Sequence, residues 1–513
     1  MDIRLQPTSL RPLTVSRWGV AFALGIAGIA LRIWIYRSEL GTPNADEAVV
    51  GLMTRHILDG EFATFYWGQA FGGPQEALLT APVFLVAGSG WLALRIIPIA
   101  LTAVAAVLIW RVGRRTIGEP AALVAAGMFW IWPPFVLFQL IHQQGFYASN
   151  VVYCGLLLLL ALRVVERPDR TRVGLFGLVL GLAFWQTAQI VPLAAGVIGW
   201  TIWKQPRCLR YVWVALPLAV VGAFPWILWN AGHNWESLSL PNYGDKAHSL
   251  RLLASPVLPM MLGLRAPFSA ELLLPAALTY VIYIGLVVLF IYGAFKTRDR
   301  NSSILYFVAA VFPFVYVISP KTVFSLGTPR FIVVLSPVLV LLFSQLATRY
   351  IRAATILALA GVISVVTLHR MDVWFRGALP PTTHEKGLGP RHTVQWVPRD
   401  LSSLVSGLDT LGLDHVYADY WLAYRLDFDT RERIVAVENG FTHLRFERGQ
   451  AIPAFQPDVR HRPYDLEVRR ARHGFVFYRQ TVRSVPIVAQ LERYGYRRYV
   501  VGSYVVYAPA GTV

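Results

Sequence analysis

The run "WLALRIIPIALTAVAAVLIWRVGRR", residues 91–115, decides the fold of this chain. Its first twenty residues are almost entirely apolar, and as a helix they are long enough to cross the ~30 Å hydrocarbon core of a bilayer. Three basic residues follow directly, Arg111, Arg114 and Arg115. This pattern predicts a membrane-spanning helix with a cytosolic basic end.

The composition of the whole chain agrees with that prediction. Of 513 residues, 55% are hydrophobic and 15% are charged, and the mean hydropathy is +0.50, which is typical of an integral membrane protein. The net charge of +18 does not indicate a nucleic-acid partner, because membrane proteins collect Lys and Arg in their cytosolic loops. Cys154 and Cys208 are too few and too far apart to predict a disulfide framework or a zinc cluster.

Similar apolar stretches recur along the chain. The first, residues 18–36, follows Arg4, Arg11 and Arg17 and lacks a small-residue cleavage site, so it is predicted to be a retained helix and not a signal peptide. With it, about eleven transmembrane helices are predicted. The others are residues 91–110, 119–138, 147–162, 173–186, 190–203, 211–229, 272–295, 303–318, 331–347 and 353–368.

Alternate loops between these stretches are rich in Lys and Arg, which predicts a cytosolic N-terminus in the plasma or inner membrane. The apolar piece 77–87 is too short to cross and is assigned to the outer interface. The loop 37–90, the loop at about 230–270 and all residues after 369 then lie on the outer face. We expect two domains: a transmembrane module, residues 1–369, and an extracytoplasmic α/β domain, residues 370–513, with short alternating strands and one late helix.

The first outer loop places two carboxylates side by side in "PNADEAVVGL", residues 43–52. Asn44 is expected to cap a helix, with Glu47 completing a capping box. Neighbouring helical residues diverge by ~100°, so Asp46 points elsewhere. The apolar face of this helix predicts that it lies on the membrane surface or on other helices, and a carboxylate at such a boundary needs a partner or a chemical role. Asp46 is therefore the stronger functional candidate.

The same loop continues with aromatic, glycine and amide residues. Tyr66, Trp67 and Gln69 suit stacking and hydrogen bonding with a sugar, although the aromatics are also typical of a membrane interface.

These segments resemble a known superfamily. "DEA" (46–48), "FYWGQAFGGPQEALLTAPVF" (65–84) and residues 93–133 look like the GT-C glycosyltransferases that use polyprenyl-phosphate sugars. The branch that they resemble contains protein O-mannosyltransferases and lipid A aminoarabinose transferases. "TPRFIVVLSPVL" (328–339) resembles a later segment of that family, and "HVYADYWLAYRLDF" (415–428) with "ERIVAV" (432–437) resembles its bacterial outer domain.

The resemblance implies a GT-C fold and an inverting glycosyltransferase. Its donor would be a polyprenyl-phosphate-linked sugar, and its acceptor an envelope glycan, lipid or protein. The first-loop aspartate of the family is the proposed base, which corresponds to Asp46; Glu47 is included beside it as catalytic or supporting. The second outer loop reads "QLIHQQGFYASN" (139–150) and lacks the acidic residue found in many members.

The chemistry requires one base for the acceptor hydroxyl and cations for the departing phosphate. Arg330 is the first candidate for the phosphate, since it matches the arginine of the family segment, followed by Lys321 and Arg265. Each of these cations could instead anchor the protein at lipid headgroups. Arg32 and Arg95, near helix ends, are interpreted as snorkelling or packing residues.

Further residues complete the predicted site. Besides Tyr66, Trp67 and Gln69, the predicted sugar or acceptor contacts are Glu76, His142 and Gln143. No cofactor is required, but a divalent cation is possible if His56 and His142 join Asp46, although no spacing here is typical of a metal site. Asp419 and Arg425 either touch an acceptor or hold the outer domain together.

Two other classes of function are compatible with the sequence. A transporter or lipid flippase would also have many apolar helices, but such proteins place ionisable residues near the bilayer midplane, where this chain has almost none. A non-enzymatic envelope scaffold would explain the outer domain and leave Asp46 without a role.

Overall fold

A computed structural model describes residues 17–239, 250–266, 272–296, 301–318, 329–376, 397–438, 443–447, 449–454 and 459–511. The predicted phosphate ligand Lys321 lies outside these ranges. The described chain is a helical membrane part followed by a domain that contains a β-sheet, so the predicted fold class is confirmed. This second part, residues 397–511, is called the outer domain after its predicted location.

The membrane part consists of helices that coincide with the predicted apolar stretches. In chain order they are α1 (Arg17–Arg37), α2 (Ala45–Leu58), α3 (Gln75–Ala87), α4 (Trp91–Thr116), α5 (Glu119–Ile131), α6 (Pro134–Ile141), α7 (Tyr147–Glu166), α8 (Arg170–Gln186), α9 (Val191–Lys204), α10 (Val212–Gly222), α11 (Phe224–Gly232), α12 (Leu258–Met261), α13 (Ala276–Lys296), α14 (Ser303–Ile318), α15 (Ser336–Ala347) and α16 (Ala353–Arg376). A 3₁₀ turn, Pro329–Leu335, leads directly into α15.

Six spans among the described residues are long and apolar enough to cross a membrane. Two bent helix pairs raise the number to eight if each pair is one crossing: α5 with α6, bent by 60°, and α10 with α11, bent by 64°. The first bend falls where Pro133 and Pro134 remove two backbone donors. The predicted total of about eleven crossings therefore stays a prediction. The six single-helix spans that are long and apolar enough to cross a membrane are Gly19–Arg37, Trp91–Thr116, Tyr147–Glu166, Ala276–Lys296, Arg330–Ala347 and Ala353–Val373.

The two helices of the first loop, α2 and α3, pack against each other and against α4. Helix α3 has 13 residues, in line with its predicted assignment as a non-crossing segment. Of the two predicted positions for α2, the membrane surface or other helices, the structure shows the second. The α2 residues from Val49 to Thr54 are all buried, because the outer domain covers the side that a surface helix would leave open.

The outer domain contains a five-stranded mixed sheet. Its strands are β1 (His415–Ala418), β2 (Val435–Glu438), β5 (Gly474–Tyr478), β6 (Arg497–Val501) and β7 (Tyr504–Ala508), and their order in the sheet is β2-β1-β5-β7-β6. Strand β1 is parallel to β2 and β5, while β7 is antiparallel to β5 and β6. The predicted strand segments and the late helix, which is followed by Gly495 at φ +79°, are present. The elements are α17 (Ser402–Thr410), β1 (His415–Ala418), α18 (Tyr420–Thr430), β2 (Val435–Glu438), β3 (Leu444–Glu447), β4 (Gln450–Pro453), α19 (Arg462–Arg470), β5 (Gly474–Tyr478), α20 (Val488–Arg493), β6 (Arg497–Val501) and β7 (Tyr504–Ala508).

A continuous apolar core joins the outer domain to the first loop. It contains buried residues of α2 and α4, such as Val49 and Leu94, together with Tyr424 and Phe428 of α18. The Phe428 ring lies 4.5 Å from the Trp91 ring, centroid to centroid. The Arg55 guanidinium lies 4.1 Å from the centroid of the same Phe428 ring. Because this contact buries aromatic residues in one core, the outer domain is packed onto α2 as part of the same folded unit.

The contact between α2 and α18 depends on a glycine. A Cβ at Gly51 would lie 2.4 Å from a ring carbon of Phe428, whose ring is held by its neighbours. We expect Gly51→Ala to destabilise the protein by about 1–3 kcal/mol through overpacking. The measurement is thermal unfolding of the purified protein in detergent. The matched control is Gly285→Ala in α13, where a Cβ meets no atom within 4 Å. Equal melting temperatures for the two variants would contradict the tight contact.

Candidate active site

The N-terminus of α2 begins as the sequence predicts. The backbone N–H of Glu47 donates to Asn44 Oδ1 at 3.0 Å, so Asn44 is the N-cap. The second hydrogen bond of the predicted capping box, from the Asn44 backbone N–H to the Glu47 carboxylate, is not formed, so that part of the prediction is wrong. The Glu47 side chain turns into the protein because a buried cation attracts it there.

That cation is Arg95 of α4. Its Nε and Nη2 donate to the two carboxylate oxygens of Glu47 at 2.8 and 2.6 Å, and its Nη1 donates to the Gly41 carbonyl at 2.9 Å. The side chains of Glu47 and Arg95 are 0% and 1% exposed. Of the two interpretations given for Arg95, snorkelling or packing, the structure therefore excludes snorkelling: the side chain is packed inside the protein. Burial raises the pKa of Glu47, but Arg95, His142 and the hydrogen bonds outweigh burial and hold this pKa below its usual value.

Two predicted acceptor ligands lie behind this ion pair. The backbone N–H of Gln143 donates to Glu47 Oε1 at 3.1 Å, and the Gln143 side-chain amide donates to Thr80 Oγ1 at 3.2 Å. The His142 ring bonds the Phe138 carbonyl at 2.7 Å. Both side chains are buried, so the structure places them in the support of Glu47 and away from an open surface.

Asp46, one residue earlier, points the other way and faces the outer domain. Its Oδ1 accepts a hydrogen bond of 2.5 Å from the Tyr420 hydroxyl at the start of α18. Its Oδ2 lies 3.8 Å from Arg330 Nη1, which is an ion-pair distance but too long for a hydrogen bond. The side chains of Asp46 and Arg330 are 18% and 34% exposed, so both remain accessible.

Tyrosines and a second arginine surround this pair. The Tyr66 hydroxyl donates to the Asp46 backbone carbonyl at 3.1 Å, and Tyr147 interacts electrostatically with Asp46 and Arg330. The Arg460 guanidinium lies 5.7 Å from the Tyr66 ring and 5.3 Å from the Tyr420 ring. Burial, followed by the charge of Asp46, raises the pKa of Tyr420 well above its usual range, so its hydroxyl stays protonated and donates.

Gln69 and Trp67 contact the outer domain. With its amide oxygen turned toward Arg460, Gln69 accepts from Nη1 at 2.6 Å and from Nη2 at 3.2 Å. Trp67 is buried, and His461 stacks on its ring with centroids 3.9 Å apart. One face of the predicted sugar-stacking ring is therefore covered by protein.

His56 links the first loop to the outer domain. Its Nδ1 is 2.6 Å from Glu61 Oε2, and its Nε2 is 2.8 Å from Glu432 Oε1. His56 and His142 thus bond to groups other than Asp46, and among the described residues no three His, Cys, Asp or Glu side chains are grouped to hold a metal ion.

Glu76 begins α3 and is almost fully buried. It accepts hydrogen bonds of 2.8 Å from both the backbone N–H and the hydroxyl of Ser149. Burial raises the pKa of Glu76 to about 7, and the two hydrogen bonds from Ser149 oppose that rise only in part. Glu76 thus lies between α3 and α7, and no contact with Asp46 is described for it.

The remaining predicted residues have different surroundings. Arg265 is half-buried, and its backbone forms an isolated β-bridge with Leu272. Helix α12, in the same segment of the chain, packs near the Pro329–Leu335 turn. Asp419 caps α18 by accepting from the Trp421 N–H at 2.9 Å. Arg425 is buried and donates to the carbonyls of Pro398 and Arg399 at 2.6 and 2.9 Å. Asp419 and Arg425 therefore hold the outer domain together.

A cleft of about 590 Å³ lies beside this site, between the outer domain and the ends of α1 and α4. Its lining includes Tyr36 and Trp91 from the membrane part and Arg399, Asp429 and Arg433 from the outer domain. Asp46 and Arg330 do not line it, so the cleft and the Asp46 site are separate.

Three site residues escape the sequence analysis. Tyr420 follows the singled-out Asp419 in "YADY", and its position in the first turn of a helix is the only local signal for it. Arg460 and Tyr147 carry no signal of their own, since they reach Asp46 and Arg330 only through tertiary packing.

Comparison with known proteins supports the same architecture. Residues 73–229 match the family model described as dolichyl-phosphate-mannose-protein mannosyltransferase. The fold matches the crystal structure of ArnT from Cupriavidus metallidurans bound to undecaprenyl phosphate with a TM-score of 0.59 and 13% identity, over 96% of this chain and 99% of that chain. The apo form of the same ArnT gives a TM-score of 0.57 and 14% identity, over 96% and 98%. No curated protein is similar enough to be matched.

The fold class predicted from the sequence is thereby confirmed. The chain is a multi-pass membrane protein with a GT-C type fold. It is similar to ArnT in fold and to the mannosyltransferase family over residues 73–229.

The buried ion pair makes a prediction about stability. Glu47→Gln keeps the shape of the side chain but leaves the Arg95 charge buried without its partner, so we expect a loss of about 3–5 kcal/mol. Thermal unfolding in detergent measures it. The control is Glu166→Gln, which breaks the more exposed pair with Arg115 and is expected to cost about 1 kcal/mol or less. Equal destabilisation by the two substitutions would refute the role of the buried pair.

The contacts of His56 predict a dependence of stability on pH. The hydrogen bond to Glu432 is the main cause that raises the pKa of His56 above its ordinary value of about 6.5. The stabilisation is complete below pH ~6.5 and is lost as the pH rises through the raised folded value. We expect the melting temperature of the wild-type protein to fall as the pH rises from ~6.5 through the raised folded pKa of His56. The fall should be smaller in His56→Asn. His233→Asn, at a histidine that bonds a backbone carbonyl, should keep the wild-type slope.

Proposed function

We propose that this protein is an inverting glycosyltransferase. It takes a sugar from a polyprenyl-phosphate donor and attaches it to a glycan, lipid or protein of the cell envelope on the outer face of the plasma or inner membrane. The observation that carries the proposal is an accessible carboxylate, Asp46 Oδ2, that lies 3.8 Å from the cation Arg330 at the first residue of a membrane span.

The lipid-linked donor is supported by the fold and by the position of Arg330. The structurally similar ArnT is described as bound to undecaprenyl phosphate. Arg330 begins the span Arg330–Ala347, so its guanidinium lies where a hydrocarbon layer would end. A phosphate on an isoprenoid chain occupies that level of a membrane, and a guanidinium matches phosphate oxygens with several donors. Lys321 and Arg265 remain further predicted ligands of the same phosphate.

The reaction uses these two groups in separate roles. Asp46 accepts the proton of the acceptor hydroxyl, whose oxygen forms a bond to the anomeric carbon of the sugar. The bond from that carbon to the phosphate oxygen breaks, and both of its electrons leave with the polyprenyl phosphate. Arg330 stabilises the negative charge that develops on the phosphate. A single displacement from the opposite side inverts the anomeric centre.

The sugar and acceptor would lie on the side of Asp46 that faces the outer domain. Tyr66 and Gln69 of the first loop and Tyr420 and Arg460 of the outer domain surround this space with hydrogen-bonding groups and ring faces. Such groups recognise hydroxylated rings. In this proposal Glu47 acts by holding α2 in place and does not exchange protons with the substrate.

Substitution of the two charged residues tests the proposal. In a strain that lacks this protein, we expect a lipid-linked sugar to accumulate and the corresponding envelope residue to disappear. The wild-type chain should return both the lipid-linked sugar and the envelope sugar residue to their normal amounts. Asp46→Asn should reduce transfer by about 10²–10⁴-fold, as the loss of a general base does, and Arg330→Ala by about 10²–10³-fold. Mass spectrometry of lipid-linked sugars and envelope glycans measures both pools.

The matched control is Asp59→Asn, which removes an exposed carboxylate at the C-terminal end of the same helix and should restore transfer fully. Near-normal transfer by Asp46→Asn would rule out the assignment of the base. Movement of a lipid or solute across the membrane by the purified protein, with no covalent transfer, would instead favour a transporter or flippase.

A further inference from the structure

We infer that Tyr420 of the outer domain is a positioning residue for the base: it holds Asp46 Oδ1, so that Oδ2 is the oxygen that receives the acceptor proton. This inference rests on the proposed function and goes beyond it, because it makes the outer domain part of the catalytic site and assigns different roles to the two oxygens of one carboxylate.

The two oxygens of Asp46 have unequal surroundings. Oδ1 accepts from the Tyr420 hydroxyl at 2.5 Å, a short distance typical of a hydrogen bond to a charged acceptor. Oδ2 lies 3.8 Å from Arg330 Nη1, and no hydrogen bond to it occurs among the residues that the structure describes. A carboxylate whose one oxygen is fixed cannot rotate freely, so the other oxygen keeps a constant direction.

The Tyr420 side chain extends from a helix that is itself fixed in place. The residue lies in the first turn of α18, which Asp419 caps and which packs on α2 through Phe428 and Gly51. The Arg460 guanidinium lies 5.3 Å from the Tyr420 ring. Rigid elements on both sides of the hydrogen bond make the position of the carboxylate reproducible, which catalytic geometry requires.

The ionisable groups that face Asp46 come from three parts of the chain. Arg330 and Tyr147 belong to the membrane part, Tyr66 to the first loop, and Tyr420 and Arg460 to the outer domain. Burial raises the pKa of Tyr66 and of Tyr420 well above the usual range, so these two hydroxyls stay protonated, and the arginines are cations. Of these groups, only Tyr420 donates a hydrogen bond to the Asp46 carboxylate within the described structure.

The test measures the initial rate of sugar transfer against pH, with membranes of the deletion strain as the source of accumulated donor and of acceptor. Tyr420→Phe removes only the hydroxyl. We expect the rate to fall about 10- to 100-fold, as for a lost hydrogen bond to a charged group. The acid limb of the profile should move to higher pH, because a hydrogen bond to a carboxylate favours its ionised form.

A second variant covers the case in which Tyr420→Phe folds poorly. Fluorotyrosine incorporated at position 420 keeps the shape of the residue and makes the hydroxyl a stronger donor, so the acid limb should move to lower pH. Tyr504→Phe is the control: it removes another buried hydroxyl of the outer domain, in an apolar cluster that contains no residue of α2, and should leave the rate and the profile unchanged.

The outcomes separate this inference from the function on which it rests. If Asp46→Asn is inactive while Tyr420→Phe keeps the wild-type rate and pH profile, the positioning role is overturned and the proposed function stands. If Asp46→Asn remains active, the proposed base and the inference both fall. A lower melting temperature for Tyr420→Phe with an unchanged profile would show that the contact is merely structural.

Discussion

The buried pair of Glu47 and Arg95 is the interaction on which the site depends. Two charges with almost no exposure persist only because each carboxylate oxygen of Glu47 receives a donor from Arg95 and the remaining donors find carbonyl partners. The pair ties the first turn of α2 to α4. Since successive helical side chains diverge by ~100°, fixing Glu47 inward directs Asp46 outward. One carboxylate of the "DE" pair is therefore used to orient the other.

The outer domain supplies part of the site around Asp46. Helix α18 covers α2, and the core under it is continuous with residues of α4. The same helix brings Tyr420 to Asp46, and the segment that precedes α19 brings Arg460 to Tyr66 and Gln69. A site built in this way cannot be reduced to the transmembrane helices alone, because two of the ionisable groups around the carboxylate, Tyr420 and Arg460, come from the sheet-containing domain.

The membrane helices could be predicted, because hydropathy is a property of short segments, and local motifs singled out Asp46 and Arg330 as candidates. Whether Arg95 snorkels or packs stayed open in the sequence, since hydropathy does not tell a lipid-facing cation from one that faces a buried carboxylate. The position of α2, on the membrane surface or on other helices, stayed open for a related reason: an apolar helix face predicts burial but not what covers it. The contact between Asp46 and Tyr420 joins residues 374 positions apart, so no local pattern could reveal it.

The level of the site in the molecule follows from the lengths of its elements. Arg330 starts a span that is long and apolar enough to cross a membrane, whereas α2 and α3 are too short and too enclosed to be spans, so Asp46 and Arg330 lie between the end of that span and the outer domain. In the proposed function the substrate has an isoprenoid tail and a polar head, and the charged link between them lies at the edge of the hydrocarbon layer. The membrane part then supplies the cation, and the outer domain supplies groups that contact the head. The division of Arg330 and Tyr420 between the two parts of the chain meets that requirement.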